Sequence, residues 1–92
     1  MPWLIMPREA TFSTISLTQY ATWVATQPRV ARKIIELIEE CCRTPFEGKG
    51  KPEALKGNYS GYWSRRITDE HRLIYKVDNQ IVYILSCHGH YA

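Results

Sequence analysis

Nine side chains of types that handle phosphate crowd the second half of this chain: Glu53, Lys56, Arg65, Arg66, His71, Arg72, His88, His90 and Tyr91. A carboxylate, several guanidinium groups and an imidazole suit RNA strand scission, in which a 2′-hydroxyl attacks the neighbouring phosphorus. A base takes the hydroxyl proton, a cation stabilises the charge that builds around phosphorus, and an acid protonates the departing 5′-oxygen. Arginine's planar fork meets two phosphate oxygens at once. These steps need no metal and no organic cofactor. The same residues also have plainer readings. Glu53 follows Pro52 and suits a solvated loop, and His71 beside Asp69-Glu70 suits a surface hydrogen bond. Arg65 and Arg66 are strand neighbours that point to opposite faces, so at least one of them suits a structural role. His88-Gly89-His90 has a spacing open to zinc, with His71 or Cys87 as a third ligand, but no second spaced Cys/His pair accompanies it.

The elements that must position these groups differ between the two halves. Ser16-Leu17-Thr18-Gln19 fits a capping box, and Leu17, Tyr20, Ala21 and Val24 follow at helical spacing. Thr26 can cap a second helix with Pro28 in its first turn. Val30, Ile34, Leu37, Ile38 and Cys41 then form one apolar stripe, with Arg32, Lys33, Glu36, Glu39 and Glu40 mostly off it. Thr44-Pro45 ends that helix. Beyond a Gly/Lys-rich loop over 43–52, Tyr62–Ile67, Arg72–Val77 and Gln80–Cys87 read as strands, with Asp78-Asn79 as a turn. A further strand is expected within Glu9–Ile15. The order β-α-α-β-β-β implies an α+β domain with two helices on one face of a mainly antiparallel sheet. Alternation places Leu73, Tyr75 and Val77 towards the helices and Arg72 on the open face. If the last strand runs on, His88 and His90 fall in phase with Ser86.

Composition narrows the classes. Ninety-two residues make one domain over 1–92, too short for separate cofactor and substrate domains. No apolar run approaches the ~20 residues of a membrane helix, and the apolar opening Met1–Met6 is too short for a signal peptide. Cys41, Cys42 and Cys87, an odd set with two adjacent, do not suggest a disulfide framework, so a reducing, cytoplasmic setting is expected. Residues 1–40 are balanced in charge, whereas 41–76 carry eight basic and four acidic side chains, so the net +3 is local. Such a field favours a polyanion or an acidic protein segment as partner. Gly48-Lys49-Gly50-Lys51 is too short for a Walker loop and lacks its Ser/Thr.

The run TPFEGKGKPEALKGNYSGYWSRRITDEHRLIYKV, residues 44–77, closely resembles the YoeB toxins of the RelE/ParE toxin–antitoxin superfamily. The likeness extends through RVARKIIELIEE to the closing His90-Tyr91, over roughly residues 12–91. The resemblance implies a microbial-ribonuclease-like fold and an endoribonuclease that cuts mRNA in the A site of the 70S ribosome. It implies neutralisation by a YefM-like antitoxin, contact with operator DNA only through the antitoxin complex, and a homodimer. By the same resemblance Glu53 matches the general base, Arg72 the residue that stabilises the transition-state phosphate, and His90 the general acid, with Tyr91 holding substrate. Lys56 and Arg65 match basic residues that contact or position RNA, and Lys49, Lys51 and Arg66 extend that substrate-binding set. The alternatives on the same fold are a gyrase-directed or DNA-binding ParE-like poison or co-repressor, and a weakened toxin that serves mainly to bind its antitoxin. Family chains typically begin near Arg8 and end at the tyrosine, so Met1–Pro7 and Ala92 are additions, and His88-Gly89 stands where the family tends to have an arginine and an aromatic residue.

Overall fold

In a computed structural model, which describes residues 7–89, the first helix begins where a serine can cap it. That serine is Ser13, not Ser16. Ser13 is extended (φ −64°, ψ 158°), and its hydroxyl oxygen accepts the Ser16 backbone N–H at 3.0 Å. Helix α1 therefore spans Thr14–Thr26. Ser16, expected as the cap, is fully buried, and its hydroxyl donates to the carbonyl of Ile84 at 3.0 Å. Gln19, expected to reach back to the helix start, instead accepts the Cys87 N–H at 2.7 Å. A tertiary partner wins in both cases because it satisfies buried backbone that water cannot reach. Thr26 likewise stays inside α1, its hydroxyl donating to Thr22 O. Gln27 makes the junction, and Pro28 opens helix α2, Pro28–Arg43, where its missing N–H costs nothing. The stripe on α2 buries Ala31, Ile34, Leu37, Ile38 and Cys41, with Val30 at its margin.

The strands are β1 (Glu9–Phe12), β2 (Glu53–Ala54), β3 (Trp63–Arg66), β4 (Arg72–Val77) and β5 (Ile81–Ser86). They form one sheet in the order β1-β5-β4-β3-β2. Among the described residues only β1 pairs in parallel, with β5, so the sheet is mainly antiparallel as expected. The strand not foreseen is β2. Two residues offer no periodicity, and β2 exists only because β3 lends it an edge, pairing Glu53 with Ser64 and Ala54 with Trp63. Leu73 and Tyr75 of β4, Val82 and Ile84 of β5, Ile67 and Cys87 meet the α2 stripe and Trp23 in the core.

Phase on β5 departs from simple alternation. Val82 and Ile84 are fully buried and pair with Val77 and Tyr75 of the helix-facing set. A register shift between Ile74 and Tyr75 then pairs Ser86 with Ile74. This β-bulge is what returns Ser86 to the open face, since one extra residue flips the side-chain phase. The strand ends at Ser86, so His88 does not continue it: its ring packs on Trp23 and His71, with centroids 5.4 and 4.5 Å away. All three cysteines are free. Among the described residues no helix is long and apolar enough to cross a membrane.

Candidate active site

The pairing of β2, β3 and β4 assembles the polar site. Cross-strand partners share a face, and so do residues two apart on one strand. Glu53 pairs with Ser64, Ser64 with Ile74, and Arg66 with Arg72. Glu53, Ser64, Arg66, Arg72 and Ile74 therefore lie on the open side of the sheet. Gly50, Lys51, Glu53, Leu55, Ser64, Arg66 and Arg72 line a cleft of about 170 Å³ there. Through the bulge the row continues as Glu53, Ser64, Ile74, Ser86. At a strand spacing of ~4.8 Å this row spans roughly 14 Å. At its far end an apolar depression of about 300 Å³ is bounded by Ile15, Tyr59, Ile74, Leu85, His88 and Gly89.

Arg72 is held in advance of any ligand. Its Nη1 donates to the carbonyls of Thr68, His71 and Asp69, at 2.7, 3.1 and 3.2 Å, so the turn before β4 orients the guanidinium. Its backbone N–H donates to Gly89 O at 2.9 Å, tying β4 to the end of the described chain. Arg66 lies exposed on the same face, 4.0 Å from Asp69 across solvent. An ion pair that long and that exposed adds little stability.

Arg65 points the other way and is fully buried. Its Nε donates to the Tyr75 hydroxyl at 3.2 Å, and its Nη1 to Glu40 Oε2 at 2.8 Å and Lys49 O at 3.0 Å. Its Nη2 donates to the carbonyls of Thr44 and Glu47. Tyr75 donates in turn to Pro45 O at 2.7 Å. Arg65 is thus a rivet for the loop after α2, buried beneath the cleft rather than on its lining. Its parity on β3 dictates this, because Arg66 faces the cleft.

The riveted loop delivers the lysines. Glu40 Oε2 accepts the Lys49 N–H at 2.6 Å, and this backbone bond, with Arg65 beside it, holds the Glu40 carboxyl below its ordinary range. Gly50 has φ +81°, and a Cβ there would meet Arg66 O at 3.0 Å and Arg65 Cβ at 3.1 Å. Its carbonyl accepts the Arg66 N–H at 2.6 Å. Only glycine lets the loop lie this close to β3. Lys51 sits at φ +50°, uncommon for a residue with a Cβ, on the cleft lining. Lys49 is on the adjoining loop surface, and Lys56 is exposed at the start of a 3₁₀ turn over Gly57–Tyr59, outside the cleft lining.

The site therefore brings together Glu53, Arg66, Arg72 and Lys51, and leaves Arg65 and Lys56 out. His90 and Tyr91 lie outside the described residues. Sequence reasoning missed Ser64, which enters the cleft only through its pairing with Glu53, and Ile74, whose apolar side chain gave no chemical signal. His71 also differs from its surface reading: its Nδ1 accepts the Gly89 N–H at 2.9 Å. Burial foremost, then the neighbouring His88, holds its pKa below the usual imidazole value. Among the described residues no group of three His, Cys, Asp or Glu could hold a metal.

A family model described as "YoeB-like toxin of bacterial type II toxin-antitoxin system" matches residues 12–91. Toxin YoeB of Escherichia coli K12 is 54% identical over 80 residues, 87% of this chain and 95% of that protein. The YoeB dimer from Staphylococcus aureus is 41% identical, with a TM-score of 0.87 over 94% of this chain and all of that one. The heterotetrameric YoeB-YefM toxin–antitoxin complex from the same organism matches over the same shares at 41% identity, with a TM-score of 0.84.

Proposed function

The chain belongs to the YoeB-like toxins of bacterial type II toxin–antitoxin systems, and from that premise we propose that it is an endoribonuclease cutting mRNA in the A site of the 70S ribosome. The observation that carries this reading is the open cleft in which β2, β3 and β4 gather Glu53, Arg66 and Arg72. One carboxylate among cations, with Arg72 held by backbone carbonyls, matches what 2′-hydroxyl attack requires.

In this reading Glu53 takes the 2′-hydroxyl proton as the 2′-oxygen bonds to phosphorus. Arg72, its guanidinium oriented by the carbonyls of Thr68, Asp69 and His71, stabilises the charge that grows on the phosphoryl oxygens. His90 gives its proton to the 5′-oxygen as the P–O5′ bond breaks. The products are a 2′,3′-cyclic phosphate and a 5′-hydroxyl end, and atoms and protons balance with no metal ion. Arg66, Lys51 and Lys49 bind the flanking phosphates, Lys56 extends that basic rim, and Tyr91 holds the substrate nucleotide. Arg65 supports them from below through the loop. So small and open a cleft gains its alignment from the ribosome, which presents the message already oriented.

A YefM-like antitoxin neutralises this chain by laying an acidic segment along the basic cleft, ordering as it binds. The complex between S. aureus YoeB and YefM supports that pairing, and the S. aureus YoeB dimer supports a homodimer. Operator DNA is met only through the antitoxin complex, and the site of action is the cytoplasm, where translation occurs.

The test is purified protein added to a reconstituted translation reaction, with 5′ ends of the message mapped. Wild type is expected to cut ribosome-bound but not free mRNA. Glu53→Gln and His90→Gln are each expected to slow cutting by roughly 10²–10⁴-fold. No cuts by wild type, or equal cutting by His90→Gln, would overturn the reading. DNA damage without mRNA cuts would favour a gyrase-directed poison, and tight antitoxin binding without growth arrest a weakened toxin.

A further inference from the structure

We propose that His71 is a positioning residue for the end of the chain: through Nδ1 its ring anchors the Gly89 amide and so sets where the backbone enters His90-Tyr91. The proposal rests on the reading in which His90 is the general acid.

Gly89 is held from both sides. Its N–H donates to His71 Nδ1 at 2.9 Å, and its carbonyl accepts the Arg72 N–H at 2.9 Å. Two consecutive residues at the entry to β4, His71 before it and Arg72 its first, thus grip one glycine, and the second of them is the arginine of the cleft. Gly89 has φ +89°, so this geometry favours glycine at the position. The grip completes a series. Gln19 accepts the Cys87 N–H at 2.7 Å, and Trp23 Nε1 donates to Cys87 O at 2.8 Å. Side chains from α1 and from the turn before β4 therefore hold the segment after β5, and His71 holds the last amide before His90.

The ring is itself fixed. It meets Trp23 edge-on, with centroids 4.8 Å apart at 84°, and His88 at 4.5 Å. Its backbone N–H donates to Thr68 Oγ1, and its carbonyl accepts from Ile67 and Thr68. An Nδ1 that accepts a hydrogen bond carries no proton, so the ring works as the Nε2–H tautomer. Among the described residues the charged and titratable groups around it are Glu70 of its own turn, Arg72, whose Nη1 donates to the His71 carbonyl, and His88 of the segment after β5; α1 contributes the uncharged Trp23. Burial and then His88 lower its pKa, outweighing Glu70, which is the direction the accepting Nδ1 requires. One arginine–histidine pair thereby couples the phosphate-binding group to the placement of the acid. A reacting group displaced by about 1 Å can lose on the order of 10²-fold in rate.

Two variants separate anchoring from packing. His71→Phe keeps a planar ring against Trp23 and His88 but removes the acceptor. His71→Asn places an amide oxygen near the Nδ1 position. In ribosome-dependent cleavage, His71→Phe is expected to lose roughly 10- to 100-fold in kcat with KM changed by less than about twofold, and His71→Asn to recover most of that loss. Hydrogen exchange at the Gly89 amide, followed by NMR, is expected to quicken in His71→Phe and stay protected in His71→Asn. Wild-type cutting and Gly89 protection by His71→Phe would overturn the proposal, as would equal impairment of both variants with Gly89 still protected. A wild-type chain that cuts no mRNA would refute the reading beneath it. The anchor would then be judged on the unaltered protein by the imidazole ¹⁵N shifts, and a protonated Nδ1 or an unprotected Gly89 amide would refute it as well.

Discussion

Arg65→Met tests most directly how this domain builds its site. Methionine keeps much of the aliphatic length and removes five hydrogen bonds: to the Tyr75 hydroxyl, to Glu40, and to the carbonyls of Lys49, Thr44 and Glu47. Arg65 is fully buried, while the Glu40 side chain keeps 24% of its exposure. Breaking a buried ion pair by deleting one partner costs about 3–5 kcal/mol. Water can reach the exposed edge of Glu40, so the lower end applies, about 3 kcal/mol. That is a large share of the ~5–15 kcal/mol that holds a domain together. It corresponds to a fall in Tm of roughly 12–24 °C at ~4–8 °C per kcal/mol. Urea unfolding followed by tryptophan fluorescence reads the loss directly, with an unchanged m-value expected. Arg65→Lys keeps the charge without the planar fork and should fall between the two. If Arg65→Met unfolds within about 0.5 kcal/mol of wild type yet cuts RNA 100-fold more slowly, Arg65 contacts substrate and the rivet is refuted.

Three further outcomes follow from the same geometry. Glu40 is held below its ordinary pKa, so its contribution to stability is present above the usual carboxylate value of about 4.3 and is lost as pH falls through the lower folded value. Acid unfolding curves should therefore lose part of their steepness in Glu40→Gln, and an unchanged curve would contradict the assignment. Gly50→Ala forces both a positive φ and a 3.0 Å approach to Arg66 O, whereas Gly57→Ala forces only the φ. The first should cost about 1 kcal/mol or more beyond the second by thermal unfolding. Burial pushes the thiols of Cys41 and Cys87 up to about 11, so a disulfide reagent at pH 8 should leave both unmodified until the chain unfolds.

Much of the framework is legible in residue order. The α2 stripe, the Thr44-Pro45 stop and the β4 alternation are local patterns, and each appears in the fold because burial of one face selects one period. The candidate site was legible less evenly. Arg72 and Glu53 carry chemical types that stand out in any reading, and motif likeness adds to them. Ser64 does not stand out, since a serine on a strand signals nothing until Glu53 is paired with it. The caps misled for a similar reason. Ser16 fits a helix start by type and spacing, and what takes it from that role is its bond to Ile84, 68 positions away.

Residue order by itself determined the fold class, the local concentration of positive charge in residues 41–76, and the family to which the chain belongs. All three are read within short windows or by direct comparison of types. Tertiary structure alone decided which arginine serves the cleft and which the core, because parity on β3 has meaning only once one face is covered by helices. It also decided that a bulge returns Ser86 to the open face, and that His71 closes on Gly89 across 18 positions. Those facts depend on strand register and on contacts far apart in sequence, which no local pattern encodes.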